Sequence, residues 1–303
     1  MNYSYDVIVV KPKINKKKII LLILIFFVIV SLSIFAGIKF TQYKNAKKVE
    51  ENDRIEQEKI EQAKLEEQRL EEIELEKEMR KKKSSEPLSE EQLKSIENIY
   101  NLEEKSVFLT FDDGPTQAVT PFILDLLKQE NIPATFFVLG NRAKANPDLI
   151  KREYDEGHYI ANHGYTHVYR QIYANPQNVL DEYNYTNQCI QEALENSEYN
   201  SKIFRFPGGS VGGYYKNIKE NAKQLLKENN IASLDWNSLS KDAEGAKTKE
   251  ELLQNIIETS NGKQSVVILM HDASDKILTY ETLPDVINYF RDNGYEFKNI
   301  YDV

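Results

Sequence analysis

The chain has 303 residues with a formal net charge of −9, and 41% of the residues are hydrophobic. This acidic balance argues against nucleic-acid binding, which needs a basic surface. Cys189 is the single cysteine, which excludes an internal disulfide, so a domain outside the cytoplasm would have to fold on its hydrophobic core alone.

The first predicted element is a transmembrane anchor at residues 19–38, preceded by a cytoplasmic tail at residues 1–18. The anchor is an unbroken apolar run, IILLILIFFVIVSLSIFAGI, of about the 20 residues that a helix needs to cross a bilayer. No small-x-small cleavage site follows it, which favours an uncleaved anchor over a removed signal peptide. Lysines lie on both sides, at Lys16–Lys18 and at Lys39 and Lys44, so the positive-inside rule favours a cytoplasmic N-terminus by a small margin.

Residues 39–83 are predicted to form a charged stalk. From residue 49 onward most positions are Glu, Lys, Gln or Arg, and apolar residues such as Ile55, Ile60 and Leu65 recur every five positions. Five helical steps rotate each apolar residue by about 140° from the last, so no apolar stripe forms, and the seam of a coiled coil is missing. A single solvated helix of about 50 Å is favoured, with disorder as the alternative and a protein-binding coiled coil third.

Residues 84–101 are predicted as a linker, because KSSEP at residues 83–87 breaks the charged pattern. Residues 102–303 then alternate between short apolar runs and amphipathic helical patterns. Strands are predicted at residues 107–111, 134–139, 159–162, 203–206, 231–235, 265–270 and 297–300. Helices are predicted at residues 120–130, 147–156, 176–194, 214–228, 249–260 and 283–292. This order predicts an α/β domain with a parallel sheet closed into a barrel.

The most informative motif is VFLTFDDGP, in which Asp112 and Asp113 end the first predicted strand. Two carboxylates this close repel each other, so one tends to hold a cation or proton while the other can act as a base. Adjacent acids alone are more often a solvated turn, but NHGYTH downstream sets His163 and His167 four residues apart. Asp113 and these two imidazoles make a set suited to zinc or a similar divalent ion, with positions left open for water and substrate.

Polar residues also follow other predicted strands at the point where each strand ends. These residues are Arg205, Asp235, Trp236 and His271. Active sites of (β/α) barrels are assembled from such C-terminal strand ends. The pattern therefore favours an enzyme.

Four ordered motifs resemble those of the polysaccharide deacetylases, the carbohydrate esterase family 4 or NodB-homology domain. They are TFDDG at residues 110–114, HGYTH at 163–167, RFPGG at 205–209 and LMH at 269–271. The resemblance covers about residues 106–303, within the predicted domain 102–303. It implies a distorted (β/α)7 barrel that removes acetyl groups from N-acetylated sugars of a polymer, or from O-acetyl esters in some members, with a bound metal.

The resemblance also implies roles for individual residues. Asp113, His163 and His167 would hold the metal, with Zn²⁺ as the first choice and Co²⁺, Mn²⁺ or Ni²⁺ as alternatives. Asp112 would be the general base, and Arg205 would pair with it and hold it ionised.

A second set of residues would contact the acetyl group and protonate the departing amine. His271 would be the general acid, and the backbone N–H of Gly208 would donate to the oxyanion. Leu269 would line the acetyl pocket, and Trp236 is assigned to the substrate site. Taken singly, each has a structural explanation, as a strand-end histidine, a turn glycine or a core residue.

The fifth motif differs from the family pattern. Many members have Trp-Asn-x-Asp-Ser-x-Asp-Trp, whereas WNSLSKDA stands here at residues 236–243. Leu239 replaces the first Asp and Ala243 the final Trp, so one expected wall of the acetyl pocket is missing. Asp242 keeps its place and is predicted to partner His271, with Asp235 as the second choice.

Together these features predict a single-pass enzyme of the cell membrane with an extracellular catalytic domain. Its predicted partners are the membrane and an acetylated glycan, first of all the N-acetylglucosamine of peptidoglycan, from which it would release acetate. Chitin oligomers, poly-N-acetylglucosamine, N-acetylmuramic acid and acetylxylan are alternatives within the same fold. A catalytically silent glycan-binding or scaffold protein is the alternative from another class, and the complete set of acids, histidines and arginine argues against it.

Overall fold

The computed structural model describes residues 16–303, apart from the side chains of Lys16, Lys77 and Arg80. Most of the predicted cytoplasmic tail therefore lies outside the described residues. The chain divides into two compact units, with the boundary between Glu72 and Ile73.

The described residues of the first unit belong to one helix, α1, Lys16–Ser85. By length and composition its apolar part is able to cross a membrane. The charged part is helical as well, with Arg54 lying 2.7 Å from Glu51 and 3.9 Å from Glu58. Ile60 and Leu65 are exposed, as expected of a helix without an apolar stripe.

The second unit contains a parallel sheet whose strands follow the order β5-β4-β3-β2-β1-β7-β6, with β8 also pairing with β1. Its strands are β1 Ser106–Asp112, β2 Thr135–Val138, β3 Tyr159–Asn162, β4 Ile203–Phe204, β5 Ala232–Ser233, β6 Ser238–Leu239, β7 Ser265–His271 and β8 Glu296–Phe297. The curled sheet with its helices is the predicted distorted (β/α)7 barrel. The sequence did not predict β6, and β4 and β5 are shorter than predicted.

Helices follow most of the strands. They are α2 Glu90–Glu97, α3 Thr120–Glu130, α4 Gly140–Ala145, α5 Pro147–Asp155, α6 Tyr169–Ile172, α7 Pro176–Leu194, α8 Lys216–Glu228, α9 Lys249–Ser260 and α10 Ile277–Asp292. The sequence predicted this last helix, α10, only from residue 283 onward. In the structure Pro284 lies inside α10, and the helix begins six residues earlier than predicted.

The strands alternate between two buried faces, as a period of two requires. In β1, Leu109 and Phe111 belong to the cluster packed under the helices, whereas Phe108 belongs to the cluster inside the barrel. Thr110 and Asp112 share the inner face with Phe108 by the same period, so β1 delivers Asp112 into the barrel mouth.

The opposite end of the barrel is filled by residues from outside the predicted domain. Ile96 and Ile99 are buried in the interior cluster together with Ile300 and Tyr301. The Ser265 hydroxyl, at the start of β7, donates to the Ile99 carbonyl. The segment 84–101, predicted as a linker from its composition, thus contains a helix and a turn that contribute to the core.

Candidate active site

The strand ends bring the predicted residues together at one end of the barrel. The register of β1 and β7 pairs Asp112 with His271. The register of β3 and β4 pairs Asn162 with Phe204, so that His163 and Arg205 follow side by side. The site is therefore assembled by the sheet itself.

Asp113, His163 and His167 form a group whose ligand atoms all lie within 4.8 Å of one another. Asp113 Oδ1 lies 3.6 Å from His163 Nε2 and 3.4 Å from His167 Nε2. This oxygen is buried, and it has no hydrogen-bond partner among the described residues. A buried carboxylate oxygen aimed at two imidazole nitrogens fits a divalent cation.

The protonation of His163 also suits a metal ligand. Its Nδ1 lies 2.8 Å from the Arg205 carbonyl oxygen, so Nδ1–H donates there and the lone pair of Nε2 faces Asp113. Burial lowers the pKa of His163 to about 3, although the Asp113 charge acts in the opposite direction. The imidazole is therefore neutral, as metal ligation requires.

The backbone of this group adopts an uncommon conformation. Asp113 and His167 have φ of 74° and 56°, the left-handed region that non-glycine residues adopt rarely and that clusters at functional sites. The turn between the histidines is held by Glu182 of α7, which accepts the Tyr165 and Thr166 backbone N–H groups at 2.8 and 3.0 Å. Sequence analysis missed Glu182, whose only signal is an acidic residue on the buried face of a helix.

Asp112 and Arg205 form a buried ion pair beside this group. Both side chains are buried, and Arg205 Nη1 donates to Asp112 Oδ1 at 2.8 Å and to the Thr110 hydroxyl at 2.7 Å. The guanidinium also donates to two backbone carbonyls after β5, and its Cζ lies 3.8 Å from the centroid of the Phe137 ring. Burial raises the pKa of Asp112, while the Arg205 charge acts against that rise.

His271 is bound by Asp242 and not by Asp235. Its Nδ1 lies 2.8 Å from Asp242 Oδ1, and its backbone N–H donates to Asp242 Oδ2 at 2.8 Å. Burial opposes the charged imidazole, but the hydrogen bond and charge of Asp242 outweigh it and raise the pKa of His271 to about 9. Asp235 instead accepts the backbone N–H and hydroxyl of Ser210.

The backbone N–H groups of the RFPGG turn differ in their acceptors. The Gly209 N–H donates to the Phe206 carbonyl at 2.8 Å, and the Ser210 N–H donates to Asp235 at 3.0 Å. Among the residues that the structure describes, the Gly208 N–H has no such acceptor. Gly208 has φ of 72°, and a Cβ there would lie 2.5 Å from the Tyr169 hydroxyl oxygen. The positive φ and this close approach favour glycine at this position.

The residues assigned to the substrate pocket lie close by. Leu269 is buried on β7 and, two residues before His271, shares its face of the strand. Trp236 is half-buried, and its ring lies 3.2 Å from where a Cβ on Gly209 would be. Leu239, which replaces the family Asp, pairs with Leu269 across β6 and β7.

Sequence analysis missed a second acidic residue beside the site, Asp272. Asp272 follows His271 directly and is buried, and its carboxylate accepts the Thr120 hydroxyl at 2.6 Å. Burial raises the pKa of Asp272 to about 7. A Cβ on Gly114 would lie 1.9 Å from Asp272 Oδ2, so the glycine of the DDG motif leaves room for this carboxylate. The sequence signal for Asp272 was an acidic residue directly after His271, the last residue of β7.

Comparison with known proteins gives consistent matches. The family model described as polysaccharide deacetylase matches residues 100–229. A peptidoglycan-N-acetylglucosamine deacetylase of Bacillus cereus is 33% identical over 225 residues, 72% of this chain and 78% of that protein. A peptidoglycan-N-acetylglucosamine deacetylase of Listeria monocytogenes, PgdA, is 32% identical over 65% of this chain but only 38% of its own length. The solved Streptococcus mutans CE4 esterase has a TM-score of 0.61 at 32% identity, covering 70% of this chain and 91% of that one.

Proposed function

The chain belongs to the polysaccharide deacetylases of carbohydrate esterase family 4, and on this premise we propose that it removes N-acetyl groups from the N-acetylglucosamine of peptidoglycan. The products are acetate and a glucosamine unit with a free amine. The names of the two bacterial relatives support this substrate. The observation that carries the most weight is the placement of a candidate base, a candidate acid and a candidate metal set at one end of one barrel.

Asp113, His163 and His167 would hold the metal ion, with Zn²⁺ as the first choice and Co²⁺, Mn²⁺ or Ni²⁺ accepting the same ligands. The buried Asp113 Oδ1, which has no hydrogen-bond partner among the described residues, and the neutral His163 support this assignment. When bound, the ion would supply Lewis-acid polarisation and lower the pKa of a water molecule.

Asp112 and His271 divide the proton transfers between them. Asp112, oriented by Arg205, accepts a proton from the water that adds to the acetamide carbonyl carbon. The Gly208 N–H donates to the oxygen that becomes negative in the tetrahedral intermediate. His271, held protonated by Asp242, then gives its proton to the amide nitrogen as the C–N bond breaks. Water and the acetamide group are thereby converted to acetate and the amine.

Location at the membrane is part of the same proposal. The apolar part of α1 would anchor the chain with its N-terminus in the cytoplasm, and residues 39–83 would separate this anchor from an extracellular domain. The apolar length of α1 supports the anchor. An immobile polymer outside the membrane is a fitting substrate for an anchored enzyme.

A substrate panel tests the proposal. The full chain in detergent, loaded with Zn²⁺, is incubated with peptidoglycan, chitin oligomers, poly-N-acetylglucosamine and acetylxylan, and released acetate is measured. The fastest release is expected from peptidoglycan. Faster release from another polymer would reassign the substrate, and no release from any of them would favour a silent glycan-binding protein.

A further inference from the structure

Tyr173 lies directly after α6 and is fully buried beside the RFPGG turn. Its hydroxyl donates to the Pro207 carbonyl oxygen at 2.7 Å. The ring is fixed by the Tyr215 ring, 5.2 Å away between centroids, and by the Lys219 ammonium, 5.0 Å from its centroid. A buried hydroxyl with one well-defined acceptor holds that acceptor in place.

The Pro207 carbonyl and the Gly208 N–H belong to the same peptide group. The peptide is planar and trans, so the carbonyl and the N–H point in opposite directions. Fixing the carbonyl therefore fixes the direction of the N–H. A hydrogen bond accepted by the carbonyl also polarises the N–H on the other side and makes it a better donor.

The neighbouring peptides are anchored by other groups. The Gly209 N–H is bound to the Phe206 carbonyl. The next peptide is held at both ends, because Lys219 Nζ donates to the Gly209 carbonyl at 2.7 Å and Asp235 accepts the Ser210 N–H. Tyr173 is thus the side chain that holds the Pro207–Gly208 peptide itself.

Glycine at position 208 makes this contact important. It has no side chain that could restrict its backbone, and its φ is positive. We propose that Tyr173 is a positioning residue that orients the Gly208 N–H toward the oxyanion of the reaction. This role rests on the proposed deacetylation.

Tyr173 also connects the oxyanion donor with the metal group. The short segment from His167 to Tyr173 contains Tyr169, whose ring lies 5.6 Å from the His167 ring and 5.8 Å from the Tyr173 ring. One segment thus contributes a candidate metal ligand and the contact that orients the Gly208 peptide. The backbone of residues 167–173 therefore sets the position of the His167 imidazole relative to the Tyr173 hydroxyl.

The kinetic test compares two tyrosine hydroxyls. Tyr199 is equally buried and donates its hydroxyl to the Ile160 carbonyl at 2.6 Å, in β3 and not in the RFPGG turn. Tyr173→Phe and Tyr199→Phe should lower the Tm by similar amounts. With peptidoglycan as substrate, Tyr173→Phe should lower kcat by about tenfold or more, with KM, metal content and pH profile unchanged. Tyr199→Phe should leave kcat unchanged.

A spectroscopic test reports on the peptide without substrate. Pro207–Gly208 is the one Pro-Gly pair in the sequence, so the full chain labelled with carbonyl-¹³C proline and ¹⁵N glycine gives a single selected amide signal. Tyr173→Phe should shift this signal, and Tyr199→Phe should not. A Tyr173→Phe variant with the kcat of the control, or with an unmoved signal, would overturn the proposal. If the wild type releases no acetate, the proposed function fails and the catalytic role of Tyr173 fails with it, while the amide signal still decides whether Tyr173 holds the Pro207–Gly208 peptide.

Discussion

His271 and Asp242 determine how the proposed enzyme should respond to alkaline pH. An imidazole must be protonated to act as an acid, and the pKa of His271 is raised to about 9. The rate should therefore fall as the pH rises through about 9. Asp242→Asn removes the carboxylate that favours the charged form while burial still opposes it. The basic limb of the pH–rate profile should move to lower pH, and turnover near neutral pH should fall with metal content unchanged.

Asp235→Asn is the matched control, because Asp235 contacts Ser210 and not His271. It should leave the basic limb in place and act on folding or substrate binding. A basic limb that moves with Asp235→Asn and stays with Asp242→Asn would contradict this assignment.

Arg205 pairs with Asp112 and should therefore determine the position of the acidic limb of the pH–rate profile. Arg205→Met leaves a buried carboxylate without its partner, which costs about 3–5 kcal/mol of unfolding free energy. The pKa of Asp112, already raised by burial, should rise further because the opposing charge is gone, so the acidic limb should move to higher pH. Urea unfolding and the pH–rate profile measure the two effects. An unchanged acidic limb in a folded Arg205→Met variant would exclude Asp112 as the base.

Single residues at strand ends could be predicted because each is polar where an apolar run stops. The apolar runs also predicted the parallel sheet, and this sheet places the strand ends side by side. Short distances such as that between Asp113 Oδ1 and His167 Nε2 follow from this arrangement. Tyr173, Glu182 and Asp272 were missed because their contacts join segments distant in sequence. The sequence shows Asp272 directly after His271 and an acid on the buried face of α7, but it does not show which distant residues these side chains contact.

The turn between the two histidines depends on α7. Glu182 accepts three hydrogen bonds from this turn, from the Tyr165 and Thr166 backbone and from the Thr166 hydroxyl. Glu182→Gln weakens these charge-assisted bonds and should lower metal affinity by about 10- to 100-fold, as changes around metal ligands do. Zinc titration with a competing chelator measures this change.

Glu192 of the same helix provides the control, because it is exposed and, among the described residues, its carboxylate accepts a hydrogen bond only from Gln188, one turn earlier. Glu192→Gln should bind zinc as the wild type does. Equal affinities in Glu182→Gln and Glu192→Gln would show that α7 does not support the metal group.

The sequence predicted helices correctly where the hydrophobic periodicity extends over many residues. The predicted bounds of α3, α7 and α9 agree with the structure. β6 contains two residues and α6 four, too few for a period to be recognised. The helix α2 had a readable signal in the capping box formed by Ser89 and Gln92, but its charged composition resembles that of the stalk.

The complete domain extends further toward the N-terminus than composition indicated. Ile99 is fully buried inside the barrel, whereas Ile55 on α1 is 40% exposed. Ile99→Ala should lower the unfolding free energy by about 2–5 kcal/mol, and Ile55→Ala should change it by less than about 0.5 kcal/mol. Urea unfolding followed by the fluorescence of Trp236, the single tryptophan, measures both. Equal stability of the two variants would mean that the segment before β1 is not part of the core.

The central claim is that this barrel removes acetyl groups from peptidoglycan with Asp112 as its base. The most direct measurement is the mass of muropeptides after treatment with the Zn²⁺-loaded full chain and with its Asp112→Asn variant. The wild type should convert N-acetylglucosamine units to glucosamine, each lighter by one acetyl group. The variant should retain the metal and react about 10²-fold more slowly. Unchanged muropeptide masses with the metal-loaded wild type, or equal rates in the two proteins, would contradict the claim.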